Sequence, residues 1–271
     1  MQALNGLIAS VDDRGVARVQ IDRPRRKNAM DTATSNAFIE LLGEWADNEA
    51  IRVVVIGAGG RDFCTGADIV DMASAPAPES AAEGEDRATK TIDTGCRVVR
   101  AIRALEVPVV AAVGGPAAGI GASIAFASDL IYAASDAYFL LAFVNIGLMP
   151  DGAATATVAA AVGRARANEL ALLGERLPAA QAYADGLVTA VVDADALDAK
   201  VDHVVGKLLA ASPRALKITK KALDAQTLAG FDLALELERE GQIELLQSPE
   251  FAALIAAFAR GKTAKPTPAT P

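Results

Sequence analysis

The chain has 271 residues, of which 52% are hydrophobic and 22% charged, the balance of a folded globular protein and not of a disordered one. A net charge of −8 argues against nucleic acid as a partner, because phosphate recognition needs clustered Lys and Arg. Two cysteines and one histidine argue against both a disulfide framework and a zinc site.

The start, Met1-Gln2-Ala3-Leu4-Asn5, lacks the charged and apolar regions of a signal peptide, and no apolar run reaches the roughly 20 residues that span a bilayer. The reading is a cytoplasmic, reduced, metal-free chain with no membrane partner. Aromatic residues are only 4%, so the core must come from Ala, Val, Leu and Ile. Such residues bury little area each, which points to stabilisation by self-association.

In chain order, strands are expected at Leu7 to Val11 and Val16 to Ile21, joined across Asp12-Asp13-Arg14-Gly15 and stopped by Arg23-Pro24. Phe38, Leu41, Leu42 and Trp45 form one apolar helix face, with Asp31 as the cap. Arg52 to Ile56 reads as a strand buried on both faces, followed by a glycine loop. The polar stretch from Ala73 to Glu85 reads as a mobile loop, Thr91 to Leu105 as a helix and Pro108 to Val113 as a buried strand. Gly114-Gly115-Pro116 then turns into a helix from about Ile120 to Ser128, and a strand follows at Asp129 to Ala133.

Continuous apolar strands alternating with helices imply an α/β fold with a largely parallel sheet. After Arg164 helices dominate. Arg164 to Leu173 ends at Gly174, and Pro178 to Ala184 ends at Gly186. Leu187 to Val192 reads as a last strand, and Leu197, Val201, Val204, Val205 and Leu208 mark a further amphipathic helix. The division expected is a core over 1–195, a C-terminal helical region over 196–260, and a disordered tail over 261–271.

Two loops carry the chemistry. Phe63-Cys64-Thr65-Gly66-Ala67-Asp68-Ile69 follows a buried strand, and Gly114-Gly115-Pro116-Ala117-Ala118-Gly119-Ile120-Gly121-Ala122-Ser123 feeds a helix whose first amides have no internal partner. One N–H from each loop, aimed at one oxygen, would make an oxyanion hole, which needs amides and not particular side chains. A dinucleotide site fits poorly. Gly119-Ile120-Gly121-Ala122-Ser123-Ile124 lacks the third glycine of the fingerprint, and no suitable acid follows.

An ordered set of segments resembles the crotonase (enoyl-CoA hydratase/isomerase) superfamily over roughly residues 5 to 260. They are Ile21-Asp22-Arg23-Pro24 with Asn28-Ala29-Met30; Val53-Val54-Val55-Ile56 with Gly57; Phe63 to Ile69; Val107-Pro108-Val109-Val110-Ala111-Ala112-Val113; the glycine loop; Ile146-Gly147-Leu148-Met149-Pro150-Asp151; and Val162-Gly163-Arg164-Ala165-Arg166-Ala167. The resemblance implies a spiral of ββα units whose C-terminal helices build a homotrimer, often paired into a hexamer. It implies no separate cofactor, with coenzyme A entering as part of an acyl-CoA thioester substrate.

By the same resemblance, the amides of Ala67 and Ile120 form the oxyanion hole. Lys27, Asn28, Ala29 and Met30, with Ala67, Asp68 and Ile69, border the coenzyme A arm. Met72, Pro116, Gly119, Ser123 and Phe143 line the acyl pocket. Lys27 also reads as a plain solvated charge. The segment Phe258-Ala259-Arg260-Gly261-Lys262 resembles one that reaches a neighbour's nucleotide.

The chain departs from the hydratase pattern at its two acid–base glutamates, whose positions hold Ser123 and Phe143. A serine orients water but does not take its proton unaided. Asp151 stands in a column that supplies a functional aspartate elsewhere in the superfamily; it reads either as acid–base group or as helix cap. Asp129 reads as structural and Asp71 as solvated, while His203, Cys64 and Cys96 carry no assigned role. Two functions remain open: an enzyme of enoyl-CoA chemistry, as lyase or isomerase, or an acyl-CoA binder without turnover.

Overall fold

The computed structural model describes residues 2–259 except 75 and 77. The expected tail, 261–271, and the side chains of 258–262 lie outside the described residues.

The main sheet has seven strands in the order β1-β2-β3-β4-β5-β7-β10: β1 (Gln2–Leu4), β2 (Leu7–Val11), β3 (Val16–Ile21), β4 (Val53–Ala58), β5 (Val109–Val113), β7 (Leu130–Ala134) and β10 (Ala190–Val192). The first three pair antiparallel, and every pairing from β3 onward is parallel. The β2–β3 turn closes because Asp12 accepts from the amides of Arg14 and Val16 through one oxygen. Gly15 sits there at φ 82°, where a side chain would collide with the Ala50 carbonyl. Val53, Val54, Val55 and Ile56 are all buried, as a strand covered on both faces requires. A second sheet of three short strands, β6 (Ala117–Ala118), β8 (Tyr138–Leu140) and β9 (Leu177–Pro178), has β8 at its centre.

Helix α1 (Thr32–Ala46) starts at Asp31, whose carboxylate accepts from the Thr34 amide at 2.8 Å, and it buries Phe38, Leu41, Leu42 and Trp45. Beyond β4 come α2 (Ile69–Ser74) and α3 (Ala81–Ala104). The polar stretch read as a mobile loop is therefore helical at both ends, over 73–74 and 81–85. Ser80 caps the Glu83 amide, and the Glu83 carboxylate reaches back to the Glu79 amide, so α3 begins ten residues earlier than its apolar face suggests.

Helix α4 (Ile120–Phe126) follows β6. Helix α5 (Ala154–Leu173) is broken at Gly163, with φ 74° and ψ 166°. It thus begins ten residues before the expected Arg164. The last strand is shorter than the expected Leu187 to Val192, because the Leu187 and Val188 amides both turn to the Ala182 carbonyl at the end of α6 (Ala179–Ala184).

Four helices close the described chain: α7 (Leu197–Ala210), α8 (Pro213–Thr227), α9 (Phe231–Leu246) and α10 (Pro249–Ala259). Helix α7 packs on β4, β5 and β7, and α9 packs along α3. Asp129 ties this half together, accepting from Arg103, Lys220 and the Val109 amide, as its structural reading requires. Among the described residues no helix is long and apolar enough to cross a membrane.

Candidate functional site

Three segments meet at the carboxyl ends of β4 and β5, and backbone pairing sets their spacing. Phe63 and Cys64 amides donate to the Pro116 carbonyl, and the Ala118 amide donates to Cys64 at 2.9 Å. Cys64 and Ala117 form a parallel bridge. Three residues on from each partner lie Ala67 and Ile120, on neighbouring strands of chain. Neither amide donates to a protein acceptor among the described residues. The loops touch through glycine: Gly66 and Gly119 both have positive φ, and a side chain at Gly121 would collide with the Cys64 carbonyl.

On the outer side, Met30 bridges Ala67. Its amide donates to Gly66 at 2.8 Å, and its carbonyl accepts from Asp68 at 3.0 Å. Lys27 and Asn28 hold left-handed backbone, φ 52° and 56°. Lys27 is exposed, and its carbonyl accepts from the Thr65 amide and hydroxyl. Asn28 is buried and spends its side chain on the Arg23 amide and the Gly59 and Asp62 carbonyls. Asp68 is also buried, gripped by Arg26 through two bonds of 2.7 and 2.9 Å and by Arg23 at 3.4 Å. The side chains of Asn28 and Asp68 are thus committed to the fold, and these positions can offer a ligand only main chain. Asp71, read as solvated, pairs with Arg26 at 2.6 Å.

The third segment is 149–153. A side chain at Gly152 would lie 2.7 Å from both Ile120 Cδ1 and Ser123 Cβ, so this turn lies against the start of α4. Ser123 is fully buried and donates its hydroxyl to the Asp151 carbonyl at 2.7 Å. Its single hydrogen is thereby used, so toward any further partner the hydroxyl can only accept. Phe143 is buried, with its ring tip 3.9 Å from where a Gly119 Cβ would stand. Pro116 is half-buried and serves through its carbonyl; Met72 and Ile69 are half-buried on α2.

Asp151 is the unusual group. Its Oδ2 accepts from the Gln242 side-chain amide at 3.1 Å, while its buried Oδ1 has no partner among the described residues. Burial, and then the charge of nearby Glu238, push its pKa up to about 7 against the pull of Gln242. Asp151 is not the side-chain cap of α5, which has none; the buried Glu238 takes that part, accepting from the Ala153 and Thr155 amides and the Thr155 hydroxyl. Burial also raises the proton affinity of Glu238, against those three donors.

Glu238 and Gln242 were not picked out from the sequence, where a C-terminal helix rich in Glu reads as a solvated face. The available signal was their spacing: Ala234, Glu238 and Gln242 repeat every four residues on the stripe that Leu235 buries. Cys64 and Cys96 are buried thiols whose pKa burial drives up to about 12, as packing residues would be. Among the described residues no cluster of His, Cys, Asp or Glu could hold a metal.

The chain matches the enoyl-CoA hydratase/isomerase family model over residues 12–262. It is 32% identical to the 1,2-epoxyphenylacetyl-CoA isomerase of Escherichia coli (strain K12), covering 93% of this chain and 94% of the relative. It is likewise 32% identical to the short-chain-enoyl-CoA hydratase of Clostridium acetobutylicum, covering 88% of each. In three dimensions it superposes on the crystal structure of an enoyl-CoA hydratase from Mycobacterium avium subsp. paratuberculosis K-10 with a TM-score of 0.86 and 44% identity, covering 98% of this chain and 100% of that one. The mixed sheet and its helical cover are the crotonase fold, and the chain belongs to the enoyl-CoA hydratase/isomerase family, which acts on coenzyme A thioesters.

Proposed function

We propose that the chain isomerises an acyl-CoA thioester, with Asp151 as its one acid–base carboxyl. The observation that carries this reading is the state of Asp151: one oxygen held by Gln242, the other buried without a partner, and a proton affinity near neutrality. Such a group accepts and returns a proton at working pH.

Adding water across a double bond asks for one group to deprotonate the water and another to protonate carbon. Ser123 and Phe143 supply neither. A double-bond shift asks for only one group. The Asp151 carboxylate removes a proton from the saturated carbon between the thioester carbonyl and the double bond; that C–H pair moves into the π system and onto the thioester oxygen as a dienolate. The amides of Ala67 and Ile120 stabilise the developing charge. The pair then returns, the same proton is delivered to a second carbon, and the enzyme is restored with no net gain of protons or electrons. The likeness to a relative named as a CoA isomerase supports this reaction class.

The coenzyme A arm runs along Lys27 to Met30 and Ala67 to Ile69, mainly against main chain, with exposed Lys27 beside it; Arg23 and Arg26 are already paired with Asp31, Asp68 and Asp71. Exposed Ile218, Leu223, Leu233 and Leu237 on α8 and α9 support a homotrimer or hexamer.

The test is turnover of 3-enoyl-CoA substrates followed by mass-neutral product analysis. Product should form with a kcat/KM that rises with pH through about 7, not about 4, and Asp151→Asn should lower it by about 10²–10⁴-fold. Thioesters that bind and return unchanged would instead favour an acyl-CoA binder, the reading that the positions of Ser123 and Phe143 motivate.

A further inference from the structure

We propose that Gln242, brought in by α9, is a positioning residue that divides the work between the two oxygens of Asp151: Oδ2 is anchored, and Oδ1 carries the proton. This rests on the isomerase reading above.

The orientation of the Gln242 amide follows from its other contact. Its Nε2 donates to the Met149 carbonyl at 2.8 Å as well as to Asp151 Oδ2 at 3.1 Å. A carbonyl only accepts, so the atom between them must be the nitrogen. What faces Oδ2 is therefore an N–H, and a proton on Oδ2 would point at another donor. The proton belongs on Oδ1, the oxygen without a protein partner.

The same helix holds the rest of the turn. Glu238, one turn before Gln242, takes the Ala153 and Thr155 amides, so two side chains of α9 brace residues 149 to 155. Gly241 allows the close approach, since a side chain there would collide with the sulfur of Met149. A carboxylate anchored at one oxygen keeps the other in a fixed direction, which proton transfer to carbon requires.

Two other titratable groups face this pair. Glu238 lies on α9 itself. Cys96 comes from α3, and its thiol stays neutral, pushed up to about 12 by burial and then by Asp151 and Glu238. The charges beyond Cys96 are paired: Asp93 with Arg239 and Arg100 with Asp232.

The test is the pH profile of kcat/KM for 3-enoyl-CoA isomerisation by the full-length chain and two variants. Gln242→Met keeps the volume but removes the donor, so the acid limb should move up by about one pH unit. Turnover should fall about tenfold, with KM within about twofold. Glu238→Gln removes the like charge, so the limb should move down by about one unit. Opposite shifts from neighbours on one helix are not the mark of general loosening. A Gln242→Met profile that superimposes on that of the parent overturns the proposal while leaving the isomerase reading intact. So does an upward shift in Glu238→Gln, the variant that decides if Gln242→Met fails to fold. An inactive parent, or an Asp151→Asn variant with full turnover, overturns the isomerase reading and this proposal with it.

Discussion

Two carboxylates of this protein, buried Asp68 and half-buried Asp151, differ in almost every respect but chemistry. Asp68 lies between two guanidinium groups, doubly bonded to Arg26 and reached by Arg23, which also pairs with Asp31 at 2.6 Å. Among the described residues Asp151 has no cation paired with it, a like charge nearby, one amide donor and one oxygen without a partner. The first arrangement offsets the desolvation of the charge and locks the segment 23–31 against 63–71. The second leaves the cost standing and lowers it by keeping the proton close.

That contrast breaks first at Asp68. Asp68→Ala should cost about 2–4 kcal/mol in denaturant unfolding, since it strands two arginines and unties the loops beside Ala67. A loss below about 0.5 kcal/mol would remove Asp68 from the structural class.

Asp151→Asn should move stability the other way. The Asp151 carboxyl binds its proton more tightly in the folded chain than its usual value near 3.8 allows in the unfolded one. Raising the pH from about 4 to about 7 therefore removes stability from the parent, because the folded state is the one that must give up a proton there. The variant lacks this penalty and should be more stable by about 4 kcal/mol at pH 8, with more than half of the difference gone near pH 5. Equal stability at both values would put Asp151 with Asp68. The smallest effect belongs to Arg26→Ala, about 1 kcal/mol or less at low salt and fading as salt rises, because its side chain is 36% exposed.

Much of the frame was legible in the residues. The limits of β2 and β3 coincide with their apolar alternation, and α1 begins at the expected cap. Elements missed or shortened are those whose signal is not periodic. The first turns of α3 carry Ala, Glu and Arg, good helix formers that bury little before Ala88, so no apolar stripe marks them. Gly163 interrupts α5 where a run of small residues conceals the break.

At the site, the pairing of the 63–67 and 116–120 segments follows from glycine placement and was readable. The hydroxyl of Ser123 pointing at the Asp151 carbonyl was not, since it depends on a turn 28 residues away. The bond from Gln242 spans 91 residues and joins elements that no local pattern relates.

The reach of Gln242 also orders events in the life of the chain. During synthesis the two glycine loops and the 149–153 turn are made long before α9. The turn then lacks both of its braces, and Asp151 has no fixed direction. A chain ending before residue 238 would hold both glycine loops and the 149–153 turn but lack the side chains of Glu238 and Gln242 that brace that turn.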